Sequence, residues 1–334
     1  METYKYIEGY KSNLSIKENE IAIRDIRHKF QKLIEKKLHL QRVTAPLFVR
    51  SKTGINDDLN GIETPVSFDL DEGSTHLEIV HSLAKWKRYS ILKYDLKTHE
   101  GIYTNMNAIR KDEIRDNYHS IYVDQWDYEI LINKEERKLS TLKKFVKKIY
   151  SCVYDLEKYS EKTFGIKAIL PKNITFIKSS ELLKLYPDLS PEERVNAHIK
   201  KVGALFVIGI GYKLKDGKPH DGRAPDYDDW KLNGDIFLYN PLLDNALEIS
   251  SMGIRVDAEA LKKQSKIAYK EENLNLHYQQ KVLNEEVPYT IGGGLGQSRI
   301  CLFMLKKLHI GEVQCSYWDK KTREELKEKG VVLL

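Results

Sequence analysis

The chain has 334 residues, 41% of them apolar and 31% charged, enough for one large domain or two small ones with a sizeable core. Its 55 basic and 49 acidic residues leave a net charge of +6, which suits anionic ligands without demanding a nucleic-acid partner. Cys152, Cys301 and Cys315 form no paired motif, Met1–Tyr6 lack a signal-peptide apolar run, and no stretch approaches the roughly 20 apolar residues of a membrane span. These features predict a soluble, cytoplasmic protein with reduced thiols.

No internal repeat, low-complexity tract or Gly/Ser/Pro linker interrupts residues 1–334, so a single domain is expected. Ile23, Ile26, Phe30, Leu33, Ile34 and Leu38 recur at helical spacing. Val43–Phe48 follows, with Pro46 breaking the helix and β-branched residues favouring a strand. Leu142, Phe145, Val146, Ile149, Val153 and Leu156 predict a second amphipathic helix, with Ser140 or Thr141 as N-cap and Lys143, Lys144, Lys147 and Lys148 mostly on a solvated face. Strands are predicted at Ile121–Val123, Ala204–Ile208, Ile236–Tyr239 and Ala246–Ile249, the last two joined by a hairpin loop at Asn240–Asn245. This mixture points to an α+β fold with a mainly antiparallel sheet rather than a doubly wound parallel one.

Several segments carry side chains suited to chemistry. His81–Arg88 packs Lys85, Lys87, Arg88 and Trp86 into eight residues, as an anion site or as an exposed basic helix. Arg110 leaves the strand-like run Gly101–Ile109 just before acids, where it could clamp a phosphate or sit in a surface turn. In Asp124-Gln125-Trp126-Asp127, a strand would place Gln125 and Asp127 on one face, to hold a ligand's ammonium group or to form a structural hydrogen-bond network. Arg223, Asp226, Asp228 and Asp229 read equally as a site or as a solvated acidic loop. Asp235 and Glu248, one on each hairpin strand, could offer hard oxygen ligands to Mg²⁺ or be two surface acids on a hairpin. Gly292–Arg299 precedes the apolar helical run Ile300–Leu305. Its glycines would admit a ligand to the backbone, or form a turn packing a strand against a helix; the helix start offers N–H groups to anions, and Arg299 supplies a fork for phosphate or base. No Gly-Lys-Ser/Thr follows these glycines. Leu214 stands where a dinucleotide fingerprint begun at Gly209-Ile210-Gly211 needs its third glycine. Both common nucleotide folds are thus disfavoured.

Six strings in order (His81–Arg88, Tyr122–Asp127, Arg223–Trp230, Leu232–Ile236, Ser250–Asp257 and Thr290–Arg299) resemble the ammonia-dependent asparagine synthetases, nearly end to end. That family shares the class II aminoacyl-tRNA synthetase-like catalytic core. The resemblance implies ATP-dependent joining of ammonia to L-aspartate through a β-aspartyl-adenylate, with AMP and pyrophosphate released. It makes Pro46 part of the motif that builds a homodimer. Arg110 becomes the α-phosphate ligand, and Arg299 the contact to ATP near adenine and the γ-phosphate, with Gly294 and Gly296 beside it. Asp235 and Glu248 become the Mg²⁺ ligands. Lys87 and Arg255 would grip the α-carboxylate, Lys87 counting with both arginines as catalytic. Gln125 and Asp127 would recognise the amino end. Asp57, within Asn56-Asp57-Asp58-Leu59-Asn60-Gly61, is a further matched substrate position, as are Asp228 and Ser251. One departure is that only Lys231 separates Trp230 from Leu232, where relatives carry a longer Ser/Gly-containing loop.

A fused glutaminase needs a cysteine–histidine pair, and position 2 is Glu2, so ammonia is the expected nitrogen source. Two other classes compete: a synthetase-like transferase acting on tRNA or a protein lysine, and a catalytically silent amino-acid-binding paralogue. Neither an anticodon-binding domain nor a strong basic patch supports the first. Both arginines and both metal carboxylates are retained, against the second.

Overall fold

The computed structural model describes residues 4–57, 59 and 63–334. Glu2, and Asp58, Asn60 and Gly61 of the Asn56–Gly61 segment, lie outside the described residues. Helix α1 (Ile16–Leu38) starts seven residues before the apolar spacing suggests. Ser15 and Glu18 form a reciprocal capping box there, which satisfies N–H groups that the helix start leaves open. His39, in the left-handed conformation, ends it. The face bearing Ile23, Ile26, Phe30, Ile34 and Leu38 is buried, with Phe30 packed on Trp126. Each such fully buried side chain contributes about 1.5–3 kcal/mol.

The predicted strand at 43–48 is not one strand. The chain forms β1 (Leu40–Arg42) and β2 (Phe48–Arg50), with residues 43–47 crossing between two sheets. Pro46 has no N–H to offer a ladder, so pairing stops around it. β2 joins β3 (Ser67–Leu70) and β4 (Thr75–Ile79) in a small antiparallel sheet of order β2-β4-β3. Helix α2 (Ala84–Ser90) follows. Then come β5 (Gly101–Ile109), β6 (Tyr122–Leu131) and the long α3 (Leu139–Phe164). The cap of α3 is Lys138, without a side-chain bond, and not Ser140 or Thr141, which sit in its first turn. Leu139 packs against the main core, which draws the helix start ahead of them. Lys144 and Lys147 are exposed, while Lys143 and Lys148 lay their ammonium groups over the Phe176 and Phe145 rings.

The rest comprises β7 (Thr175–Lys178), α4 (Ser179–Leu185), α5 (Pro191–Val202), β8 (Ala204–Ile208), β9 (Asp228–Asn240) and β10 (Asn245–Arg255). It ends with α6 (Ala258–Ile267), α7 (His277–Leu283), β11 (Thr290–Gly296), α8 (Gln297–Met304) and α9 (Lys320–Glu328). The main sheet has the order β1-β5-β6-β11-β10-β9-β8-β7. Only its outermost pairs, β1 with β5 and β7 with β8, are parallel, as the mainly antiparallel expectation requires. The hairpin is present, and the segment around Lys231 is not a loop. Opposite Gly253 and Arg255, β9 carries Asn233 and Asp228, so residues 229–232 bulge from a continuous strand. Among the described residues no helix is long and apolar enough to cross a membrane.

Strand alternation sets the two faces. Trp126, Tyr128, Ile130, Met252, Ile254, Ile291 and Leu295 join α1, α3 and α8 in the main core. Gln125, Asp127, Glu129, Ser251, Gly253 and Arg255 therefore project from the opposite face. Gly292 and Gly294 lie in register with Glu129 and Asp127 on β6.

Candidate active site

The polar face of the central strands forms the floor of a cavity of about 290 Å³. Of the predicted residues, Asp57, Arg110, Gln125, Asp127, Asp228, Glu248, Ser251, Arg255, Gly294, Gly296 and Arg299 all border it. Lys87 and Asp235 do not reach its wall; each stands one side chain behind it, paired with a residue that does.

The glycine-rich segment is strand β11 at the centre of the sheet, not a turn before a helix. A Cβ at Gly292 would overlap the Glu129 carboxylate, and one at Gly294 would overlap the Gln125 amide. These glycines make room for neighbouring polar side chains across the ladder. The helix start beyond them is also partly used. Ser298 N–H donates to Asp124 Oδ1 at 3.0 Å and Ser298 Oγ to Asp124 Oδ2 at 2.9 Å, while Arg27 pairs with Asp124 at 2.7 Å. Asp124 thereby fixes the first turn of α8, which carries Arg299.

Arg299 donates to the Glu248 carbonyl at 3.0 Å, with the Glu248 carboxylate 3.8 Å away. Arg110, just after β5, donates to the His81 carbonyl at 3.2 Å. Neither guanidinium is held by a close carboxylate in these contacts, so both keep charge for an anion. Both border the cavity, at the same end.

At the other end, charges are buried and closely matched. Arg255 grips Glu129 with Nε and Nη2 at 2.7–3.1 Å and Asp228 with Nη1 at 2.6 Å. Thr290 Oγ1 also donates to Glu129. Burial alone would raise the Glu129 carboxyl, but Arg255 and Lys87 bring it below its ordinary value. Asp228 is pushed up to about 6, because burial outweighs its partner Arg255. Lys87 is completely buried, donating to Asp127 and to the Gly293 carbonyl at 3.1 Å; burial lowers its pKa against the pull of Asp127. The exposed-helix reading of His81–Arg88 is overturned, since Lys85, Lys87 and Arg88 are all buried. So is the solvated acidic loop: Asp226 pairs with Lys85, Asp228 with Arg255 and Asp229 with Arg137. Charged groups so deeply placed persist only when paired.

Asp235 is buried and paired with Arg223, a cavity residue that the sequence alone leaves among the acids of its loop. Its carboxyl is raised to about 7 by burial, against Arg223 and with the charge of Glu248 adding. Its Oδ1 has no hydrogen-bond partner among the described residues. No group of three or more His, Cys, Asp or Glu suited to a metal occurs among them. Mg²⁺ asks for less, one or two carboxylates with phosphate and water completing its shell. An orphaned carboxylate oxygen beside a second acid fits that ion. Glu129 is a site residue that the sequence reading passes over, although alternation from Gln125 and Asp127 points to it.

The sequence profile of the aspartate-ammonia ligase family matches residues 17–330. The aspartate–ammonia ligase of Clostridium perfringens strain 13 is 54% identical over 329 residues, 98% of each chain. That of Lactiplantibacillus plantarum is 55% identical over 316 residues, covering 94% of this chain and 98% of its own. Among solved structures, Pyrococcus horikoshii asparaginyl-tRNA synthetase complexed with asparaginyl-adenylate superposes with a TM-score of 0.65 at 15% identity, over 89% of this chain and 68% of its own. The Entamoeba histolytica asparaginyl-tRNA synthetase in complex with asparaginyl-adenylate gives 0.63 at 14%, over 90% and 66%. This chain thus has the class II synthetase catalytic fold and spans about two-thirds of those synthetases' length. By profile and by full-length identity, the chain belongs to the aspartate-ammonia ligase family.

Proposed function

We propose that this chain, as a single catalytic domain working in the cytoplasm, makes L-asparagine from L-aspartate, ammonia and ATP through a β-aspartyl-adenylate. The observation that carries this reading is one cavity with two guanidinium groups at one end and a buried acid–base cluster at the other. A β-carboxylate oxygen of aspartate attacks the α-phosphorus, and the bond to pyrophosphate breaks with its electron pair leaving on pyrophosphate. Ammonia then attacks the activated carbonyl carbon, AMP departs with the C–O pair, and the nitrogen loses a proton. Arg110 and Arg299 neutralise phosphate charge where it develops. Gln125, Asp127 and Asp228 take the substrate ammonium group, and Arg255, with Lys87 behind, takes the α-carboxylate. Asp57 and Ser251 complete the wall. Asp235 and Glu248 would hold Mg²⁺, which neutralises phosphate charge when bound, and Arg223 would be released from Asp235 to the triphosphate.

The homodimer belongs to the same reading: Leu47 and Phe48, beside Pro46, are apolar and 49% and 45% exposed. The test of the activity gives purified protein ATP, Mg²⁺ and aspartate with either ammonium or glutamine. Asparagine and AMP should form with ammonium. Equal activity with glutamine would defeat the nitrogen assignment.

The state of Asp228 gives a pH prediction. A carboxyl titrating near 6 is ionised above that pH and loses its hold on a substrate ammonium below it. At saturating ATP and Mg²⁺, kcat/KM for aspartate should therefore fall as pH drops through about 6, since this ratio reports the free enzyme. Asp228→Asn should lower kcat/KM by about tenfold to a hundredfold and remove that inflection. An unchanged inflection in the variant would assign it to another group.

A further inference from the structure

Behind the cavity lies a second, smaller one of about 140 Å³. The partition is one residue thick at three places. Asn56, Lys85 and Asp226 border the rear cavity, while their chain neighbours Asp57, Ala84 and Tyr227 border the front one. Asp226 and Gln279, on the border of this cavity, are 6% and 1% exposed, and an oxygen of each, Oδ1 and Oε1, is buried beside it with no hydrogen-bond partner among the described residues. Their other polar atoms are committed. Asp226 Oδ2 accepts from Lys85 Nζ at 2.8 Å and from Gln279 Nε2 at 2.6 Å. Two buried acceptors lacking donors are costly, and a small molecule with several N–H groups would relieve both.

We infer that the rear cavity is an ammonia antechamber, in which Asp226 and Gln279 hold the nucleophile before it crosses the partition to the front cavity. Ammonia has three donors for these acceptors. The charged groups bordering the cavity are Arg50, Lys52 and Lys85 against Glu78 and Asp226, one more positive than negative. That balance favours neutral ammonia over ammonium, whose extra proton stays with bulk water outside. A rear entry also lets the nucleophile arrive while aspartate and ATP fill the front, without opening the activated intermediate to solvent. This inference rests on the synthetase reading of the front cavity.

The test uses full-length enzyme, MgATP, aspartate and ammonium chloride. Leu276, half-buried on the rear cavity's border, is replaced by tryptophan to fill the cavity. Leu276→Trp should raise the KM for ammonium by about tenfold or more, the scale of a lost hydrogen bond. Aspartate-dependent ATP–pyrophosphate exchange, which needs no ammonia, should stay within about twofold of wild type. Gln279→Leu, which removes one acceptor, should raise the same KM and serves if the tryptophan variant does not fold. An unchanged ammonium KM in the folded variants would mean that the cavity holds only water and would overturn the inference alone. Exchange falling in step with ammonium use would make the cavity structural and would overturn the inference equally. Wild-type enzyme that makes no asparagine from ammonium would overturn the synthetase reading and this one together.

Discussion

Arg255→Ala is expected to destabilise the protein by about 3–5 kcal/mol, the cost of removing one partner from a buried ion pair. The side chain is 2% exposed, and its partners Glu129 and Asp228 are 0% and 2% exposed. Truncation would leave two carboxylates in the sheet without their shared cation, and Glu129, 0% exposed and not on the cavity border, has no water to take its place. Arg255→Lys should recover part of the loss, because an ammonium restores the charge but cannot span Glu129 and Asp228 with a planar fork. Urea unfolding at neutral pH measures the difference. A change below about 0.5 kcal/mol, as at an ordinary surface position, would mean that the network contributes little to the fold.

Arg299→Ala should behave in the opposite way. Its side chain is 23% exposed, with one hydrogen bond to a backbone carbonyl and a loose, partly exposed ion pair with Glu248 at 3.8 Å, so little of the fold depends on it. In the proposed mechanism it neutralises triphosphate charge, and removing such a group costs about 10²–10³ in rate. Exchange between ATP and pyrophosphate should therefore nearly disappear while the urea midpoint stays put. Full exchange in a folded Arg299→Ala protein would place the nucleotide elsewhere. The contrast between the two arginines separates the side chain that builds the floor from the one that faces the phosphates.

Much of this arrangement is legible in the residues. The hairpin, the α1 and α3 faces and the placement of Gln125 with Asp127 follow from periods of two and 3.6. Partnership between distant segments is not legible. His81–Arg88 and Arg223–Trp230 each read as a site or as a solvated charge run, because a local string does not reveal that Lys85 will meet Asp226, or Arg255 meet Asp228. The glycines of β11 read as a ligand site or a packing turn, since nothing in the string shows that Gln125 and Glu129 lie across the ladder and need the space. The resemblance puts Lys87 and Asp235 in contact with ligands, whereas each sits behind a paired residue, Asp127 or Arg223. Most of the residues it singles out border one cavity, and only the structure shows the depth of each group around it.

The claim on which the mechanism depends is that aspartate's β-carboxylate, and not water or ammonia, attacks the α-phosphorus of ATP. Aspartate labelled with ¹⁸O in that carboxylate, incubated with enzyme, MgATP and ammonium, tests it by mass spectrometry of the products. The label should pass to AMP, with none in pyrophosphate. Unlabelled AMP, or label recovered in orthophosphate alongside ADP, would contradict the proposed chemistry.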